Sequence, residues 1–268
     1  MVRAKLSVVY AAAVGIAMLA LAGCATSNED KTAGMSTSAL YAEARDEMAS
    51  GQWEKAVPLL EKLEARAAGT ALAEQAQLDK AYAHYKATEH AQAIATIERF
   101  MKLHPASPAL DYALYLKGLV NFNEDLGILS SFTRQDLAER DQKAAKESFE
   151  SFKELTLRFP ESRYASDASK RMDYIVSSLA QYEVHVARYY FKRGAYLAAV
   201  NRAQTAINDY RNVAATEEAL FVLYKAYEAL DLAQLRDDTK RILDTNYPAS
   251  PYLTKGWQTK SDPWWKVW

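Results

Sequence analysis

Three short strings punctuate this chain, and each one stops a helix and starts another. They are Pro105-Ala106-Ser107-Pro108, Pro160-Glu161-Ser162-Arg163-Tyr164 and Pro248-Ala249-Ser250-Pro251-Tyr252. The first proline ends the preceding helix, because it has no N–H to donate and forces its neighbour out of helical geometry. The serine oxygen then accepts from the unpaired N–H groups at the start of the next helix. Pro108 and Pro251 fall at the expected first helical position, where proline is tolerated best. Amphipathic runs without strand signals lie between the punctuation marks. Only 9 Gly and 7 Pro occur in 268 residues, and the strong helix formers Ala, Leu, Glu, Lys and Arg fill the runs.

A second marker lies inside each interval. Gly51-Gln52-Trp53-Glu54-Lys55-Ala56-Val57 recurs as Gly194-Ala195-Tyr196-Leu197-Ala198-Ala199-Val200, with a weaker copy at Thr88-Glu89-His90-Ala91-Gln92-Ala93-Ile94. Glycine ends the first helix of a pair in a left-handed conformation. The alanine lets the two helices approach, and the aromatic ring packs between them. Helix, glycine turn, helix, proline and cap together make the tetratricopeptide pattern, whose period is about 34 residues. The expected fold class is therefore all-α, an α-solenoid of about five tetratricopeptide-like helix pairs. Their predicted spans are 38–67, 71–104, 108–159, 163–211 and 214–247. Stripes at helical spacing give the core: Ala93, Ile97, Phe100 and Leu103, then Ala145, Phe149, Phe152 and Leu155, then Ala199, Ala203, Ala206 and Tyr210. The third pair is about twenty residues too long for the period. Its excess, Asn123 to Asp141, reads as a loop between the two helices. The run from Tyr164 to Arg193 has no breaker and reads as one long helix. Stacked pairs bury a continuous core and leave a concave face for binding.

The N-terminus carries an address. Arg3 and Lys5 precede an apolar run from Leu6 to Leu21 that ends in Leu21-Ala22-Gly23-Cys24. This is a secretory signal with a lipobox. The run is short for a spanning helix and contains Gly15, which argues against a transmembrane anchor. Residues 1–23 are expected to be removed and Cys24 to be acylated, tethering the chain to outer-membrane lipid. No aspartate follows the cysteine, which points away from inner-membrane retention. Residues 24–37 read as a flexible tether, 38–252 as the repeat domain and 253–268 as an aromatic tail. Loss of Arg3 and Lys5 from 33 basic residues leaves 31 against 34 acidic ones, a net −3. Such balance gives no electrostatic reason to bind nucleic acid. Acylation of the single cysteine leaves none for a disulfide.

Motifs for chemistry are missing. The four histidines, His84, His90, His104 and His185, lack zinc-site spacing on a helix. The sequence has no Gly-x-Ser-x-Gly elbow and no phosphate-binding glycine loop. Carboxylates at helical spacing read as solvated faces. The chain is expected to be a binder or scaffold with no catalytic residue, metal or cofactor.

Local strings narrow this reading. Gly118-Leu119-Val120-Asn121 and the insertion after it, Arg140-Asp141, Tyr164-Ala165-Ser166-Asp167-Ala168-Ser169-Lys170-Arg171-Met172, and the stretch from Ala180 to Ala195 resemble the BamD family. These are outer-membrane lipoproteins of the β-barrel assembly (BAM) machinery, also called competence lipoproteins. The resemblance runs from the lipobox to about residue 250. It implies a place on the periplasmic face of the outer membrane. It also implies three sets of partners: the last periplasmic POTRA domain of BamA, other BAM lipoproteins, and unfolded outer-membrane proteins. Arg202, in Val200-Asn201-Arg202, matches a family arginine that pairs with an acid on BamA, and read alone it is a solvated helix arginine. Arg193 is a second candidate for that surface. The family often has an aromatic-proline turn after its first repeat, where this chain has Arg66-Ala67-Ala68-Gly69. Tyr82 and Tyr85 could supply aromatic substrate contacts nearby, or simply pack between helices. The alternative to an assembly scaffold is a lipid-anchored adaptor for cell-wall or division proteins.

The tail holds Trp257, Trp264, Trp265 and Trp268 with Lys255, Lys260 and Lys266 among them. Three readings stay open: a cap on the exposed end of the solenoid, a membrane-interface segment, and a partner-binding peptide.

Overall fold

The computed structural model describes residues 32–122 and 135–257, and for 135–141 it describes the helix alone. The described residues form eleven helices and no strands. Ten make five antiparallel pairs: α1 (Thr37–Ala49) with α2 (Trp53–Arg66), α3 (Ala71–Lys86) with α4 (His90–Leu103), α5 (Leu110–Asn121) with α6 (Gln135–Arg158), α7 (Ala165–Lys192) with α8 (Tyr196–Asp209), and α9 (Ala215–Ala229) with α10 (Ala233–Asn246). The eleventh, α11 (Pro251–Lys255), begins where a sixth pair would start. The result is an all-α, tetratricopeptide-like solenoid.

The four described turns inside pairs close in the same way. Gly51, Thr88, Gly194 and Asp231 take φ of 76°, 63°, 75° and 57°. The next residue then donates its N–H five residues back: Gln52 to Glu47, Glu89 to His84, Ala195 to Tyr190 and Leu232 to Tyr227, all at 2.8–3.0 Å. This is the Schellman arrangement, which satisfies carbonyls that a helix end otherwise leaves bare. Five residues after the left-handed position, Ala56, Ala93 and Ala199 are fully buried. In the fifth pair that position is Arg236.

The first helices of successive pairs meet along one side: α7 lies directly on α9, α3 touches α5, Tyr41 of α1 reaches Asp79 of α3, and Tyr115 of α5 reaches Asp167 of α7. The first helices therefore line the inner, concave side. A hydrogen bond also ties one pair to the next. Ser107 Oγ donates to Glu74 at 2.8 Å and Ser162 Oγ to Asp111 at 2.7 Å. The punctuating serine of one pair thus clamps an acid in the first turn of the preceding first helix.

Three expectations need correction. The segment 123–141 is not all loop, because α6 begins at Gln135. Residues 135–141 read Gln-Asp-Leu-Ala-Glu-Arg-Asp, strong helix formers with an acid at the positive helix end, and 123–134 lie outside the described residues. Pro108 is not the first helical residue, since α5 starts at Leu110. Ser107 Oγ accepts from Ala109 N–H at 3.3 Å, and one tight turn precedes the helix. Pro251 does occupy the first position, with Ser250 Oγ accepting from Tyr252 N–H. Leu103 is 57% exposed, although Ala93, Ile97 and Phe100 of its stripe are fully buried. It is the last residue of α4, whereas its counterpart Leu155 sits inside the longer α6 and is fully buried.

Candidate partner-binding surfaces

Repeat four carries the first surface. The 28 residues of α7 include an acid, Glu183, on the face that packs against α8. Its side chain is only 6% exposed, and Arg202 Nη1 on α8 donates to its two oxygens at 3.1 and 3.4 Å. Burial alone would lower the pKa of Arg202, but the bond to Glu183, that carboxylate's charge and the nearby Tyr190 and Tyr182 together outweigh it, and the guanidinium is held more firmly charged. The Arg202 side chain remains 45% exposed. One edge of the guanidinium is thus committed inside the fold, and the rest faces outward. Arg193 caps α7 and lies 5.4 Å over the ring of Tyr189, a cation on an aromatic face. Tyr189 and Leu197 are 51% and 65% exposed and flank the same turn. Ten residues of helix separate Arg193 from Glu183, which is about 15 Å. Arg193 therefore sits at the turn of the hairpin and Arg202 about midway along α8, and the two do not converge on a single point.

The inner groove that runs from repeat one to the start of repeat four is the second surface. Asp79 on α3 accepts from Tyr41 Oη of α1 at 3.0 Å and from Gln75 Nε2 at 2.9 Å. Asp111, Tyr112, Arg163 and Tyr164 complete the lining. Burial, with Asp79 nearby, pushes the pKa of the Tyr112 phenol far up. Tyr115 stacks on Tyr164 at 4.7 Å, and its hydroxyl donates to Asp167 at 2.7 Å. Tyr82 and Tyr85 belong to a ladder of rings that starts at Trp53: Trp53–Tyr82 5.8 Å, Tyr82–Tyr85 6.3 Å and Tyr85–His90 6.3 Å. Both tyrosines are half-buried against the core of repeats two and three. Asp79, Tyr112 and Arg163 escaped the sequence reading. The available signal was an acid on the apolar side of α3, where a carboxylate needs a partner.

A third polar group joins the first two helix pairs. Glu64 on α2 accepts from Lys80 Nζ at 3.0 Å, Gln77 Nε2 at 2.8 Å and Arg99 Nη2 at 2.6 Å. Burial alone would raise its pKa, but these three donors hold it below the ordinary 4.5. This is a structural hub joining α2, α3 and α4. Cys24 lies outside the described residues. No helix among the described residues is long and apolar enough to cross a membrane.

Five stacked helix pairs, an inner row of first helices and polar clamps between pairs define a tetratricopeptide-type repeat protein. The comparisons with known proteins are specific. A family model described as YfiO, outer membrane lipoprotein, matches residues 33–243. The outer membrane protein assembly factor BamD of Neisseria gonorrhoeae is 50% identical over 255 residues, covering 93% of this chain and 96% of that protein. The protein of the same name from Vibrio cholerae is 36% identical over 231 residues, covering 86% and 95%. The chain belongs to the BamD family of outer membrane lipoproteins.

Proposed function

We propose that this protein is a non-catalytic subunit of the β-barrel assembly complex, held on the periplasmic face of the outer membrane by lipid on Cys24. It binds the periplasmic POTRA domain of BamA and other lipoproteins of the complex, and it receives unfolded outer-membrane proteins. The observation that carries this reading is 50% identity to an outer membrane protein assembly factor across 93% of the chain, all five helix pairs included. The domain plan that serves it is a signal peptide at 1–23, a lipidated tether at 24–37, a repeat domain at 38–252 and a tail from 253.

Arg202 contributes its outward guanidinium edge to the BamA contact, and Arg193 extends that surface at the turn of the hairpin. A charge pair of this kind sets register and on-rate. The groove formed by Asp79, Asp111, Tyr112 and Arg163 is the inner surface offered to an unfolded chain, with Tyr82 and Tyr85 farther along α3. Affinity purification from detergent-solubilised outer membrane tests the reading. A BamA-like barrel should be the major partner. Recovery of a cell-wall hydrolase without such a barrel would instead support the adaptor alternative and end this one.

A further inference from the structure

Residues 251–257 leave α10, form the short helix α11 and turn back across the inner side of the last two repeats. Tyr252 stacks on Phe221 of α9, with centroids 5.4 Å apart and planes at 24°, and its hydroxyl donates to Glu218 at 3.2 Å. Glu218 also accepts from Arg188 of α7 at 2.9 Å. Five residues on, Trp257 sits 4.8 Å from Phe191 of α7 and 5.1 Å from Phe221 of α9. Phe191 is in turn 5.3 Å from Tyr196 at the start of α8. One indole thus bridges two neighbouring inner helices through a socket of three aromatic rings.

The strap that delivers this indole is lightly built. Its helix is five residues long and none of them is buried. Gly256 bends the chain at φ 64°, ψ −159°, a conformation essentially restricted to glycine. The buried Trp257 Nε1–H finds no acceptor among the described residues. A permanent core tryptophan normally has its N–H paired. Here the ring fits its seat and the polar handle does not.

We propose that Phe191, Tyr196 and Phe221 form a docking socket for a large aromatic side chain on an extended peptide. Residues 251–257 hold that socket in cis as a displaceable self-ligand. Glu218 and Arg188 supply the polar rim, which takes a phenol hydroxyl where Tyr252 now sits. The inner groove of repeats four and five is therefore gated by the chain's own C-terminal segment. This holds whichever protein the repeats assemble with, so it can fail without touching the assembly role.

Two measurements on the intact chain test it. In hydrogen exchange, the amides of Leu253 and Gly256, bonded to Ser250 and Tyr252 carbonyls, should exchange at least about 100-fold faster than the core of α9. Equal protection would make the strap a fixed cap and overturn the proposal. In the second, a labelled synthetic peptide of residues 250–268 is titrated into the wild type and the Tyr252→Ala/Trp257→Ala variant. The variant should bind it at least about tenfold more tightly, because the competitor in cis is gone, and adding Phe191→Ala should abolish the gain. Equal affinities, or no binding to the variant, would refute the socket.

Discussion

Gly118 lies inside α5, where glycine is otherwise a poor helix residue. A Cβ placed there meets the Phe152 ring at 2.3, 2.6 and 2.7 Å, to Cε1, Cδ1 and Cζ. Ordinary carbon contacts sit near 3.5–4.0 Å, so Gly118→Ala demands roughly 1 Å or more of movement. Phe152 is fully buried, and the rings of Tyr115 and Phe122 lie 6.0 and 6.2 Å away, closing its escape routes. If α5 retreats instead, the buried bond from Ser148 Oγ to the Gly118 carbonyl, 2.8 Å long, is stretched. Overpacking of this kind costs about 1–3 kcal/mol and loss of the bond about 1. The better helix propensity of alanine returns up to about 1. The net expectation is a loss of about 1–3 kcal/mol. Urea unfolding followed by circular dichroism reads it directly, as a lower midpoint. Phe152→Leu makes room, so the double variant should lose less than the sum of the singles, with a coupling of about 1 kcal/mol or more. A Gly118→Ala protein as stable as the wild type, or additive singles, would refute the claim that this glycine exists to admit Phe152.

Other outcomes follow from named contacts. Arg202→Ala leaves the buried Glu183 carboxylate without its donor and should cost about 1–3 kcal/mol, since the arginine end is partly solvated. Glu183→Gln/Arg202→Met should recover much of that stability, and if BamA co-purification stays lost in this double variant, Arg202 has a partner role beyond its fold role. Glu64 has a folded pKa below the ordinary 4.5, so its stabilisation is complete above that value and disappears as pH falls through the depressed one. Asp167, bonded by Tyr115 and Arg171, is likewise held below 3.8 and adds to the same acid limb. The melting temperature should therefore drop on acidification below about pH 4.5, and Glu64→Gln should flatten that limb while lowering the neutral-pH plateau. Asp231→Gly relieves a left-handed backbone at φ 57° and should gain up to about 1 kcal/mol in thermal unfolding. Cys24→Ala should move the protein from the membrane to the soluble fraction without changing the melt of the repeats.

The helix pairs were legible because their signals are local. A proline, a capping serine and a left-handed glycine act on the few residues around them, so pair boundaries fell within two or three residues of the predicted spans. Thr88 was readable as a weak copy of the same turn, but Asp231 was not. Its pair lacks both the glycine and the alanine, and only the folded chain shows it closing the same hydrogen bonds. Leu103 and Leu155 occupy equivalent places in the sequence pattern, yet one is exposed and the other buried, because α6 runs on past its stripe and α4 does not. The family resemblance marked Arg202, but not Glu183, the internal partner that governs how any substitution there must be read.

The sequence by itself determined the class of fold, the number of pairs and the long helix of repeat four. Tertiary structure alone decided which acids meet which donors: Glu74 with Ser107, Asp111 with Ser162, Glu64 with three donors, and Glu183 with Arg202. It alone seated Trp257 against Phe191 and Phe221. Those contacts join residues 13 to 66 positions apart along the chain, so their geometry depends on how helices pack, α7 against α8 for Glu183 and Arg202 and one pair against the next for the others. Local propensity fixes where a helix starts and stops, whereas the angle between pairs comes from packing, and packing is a property of the assembled solenoid.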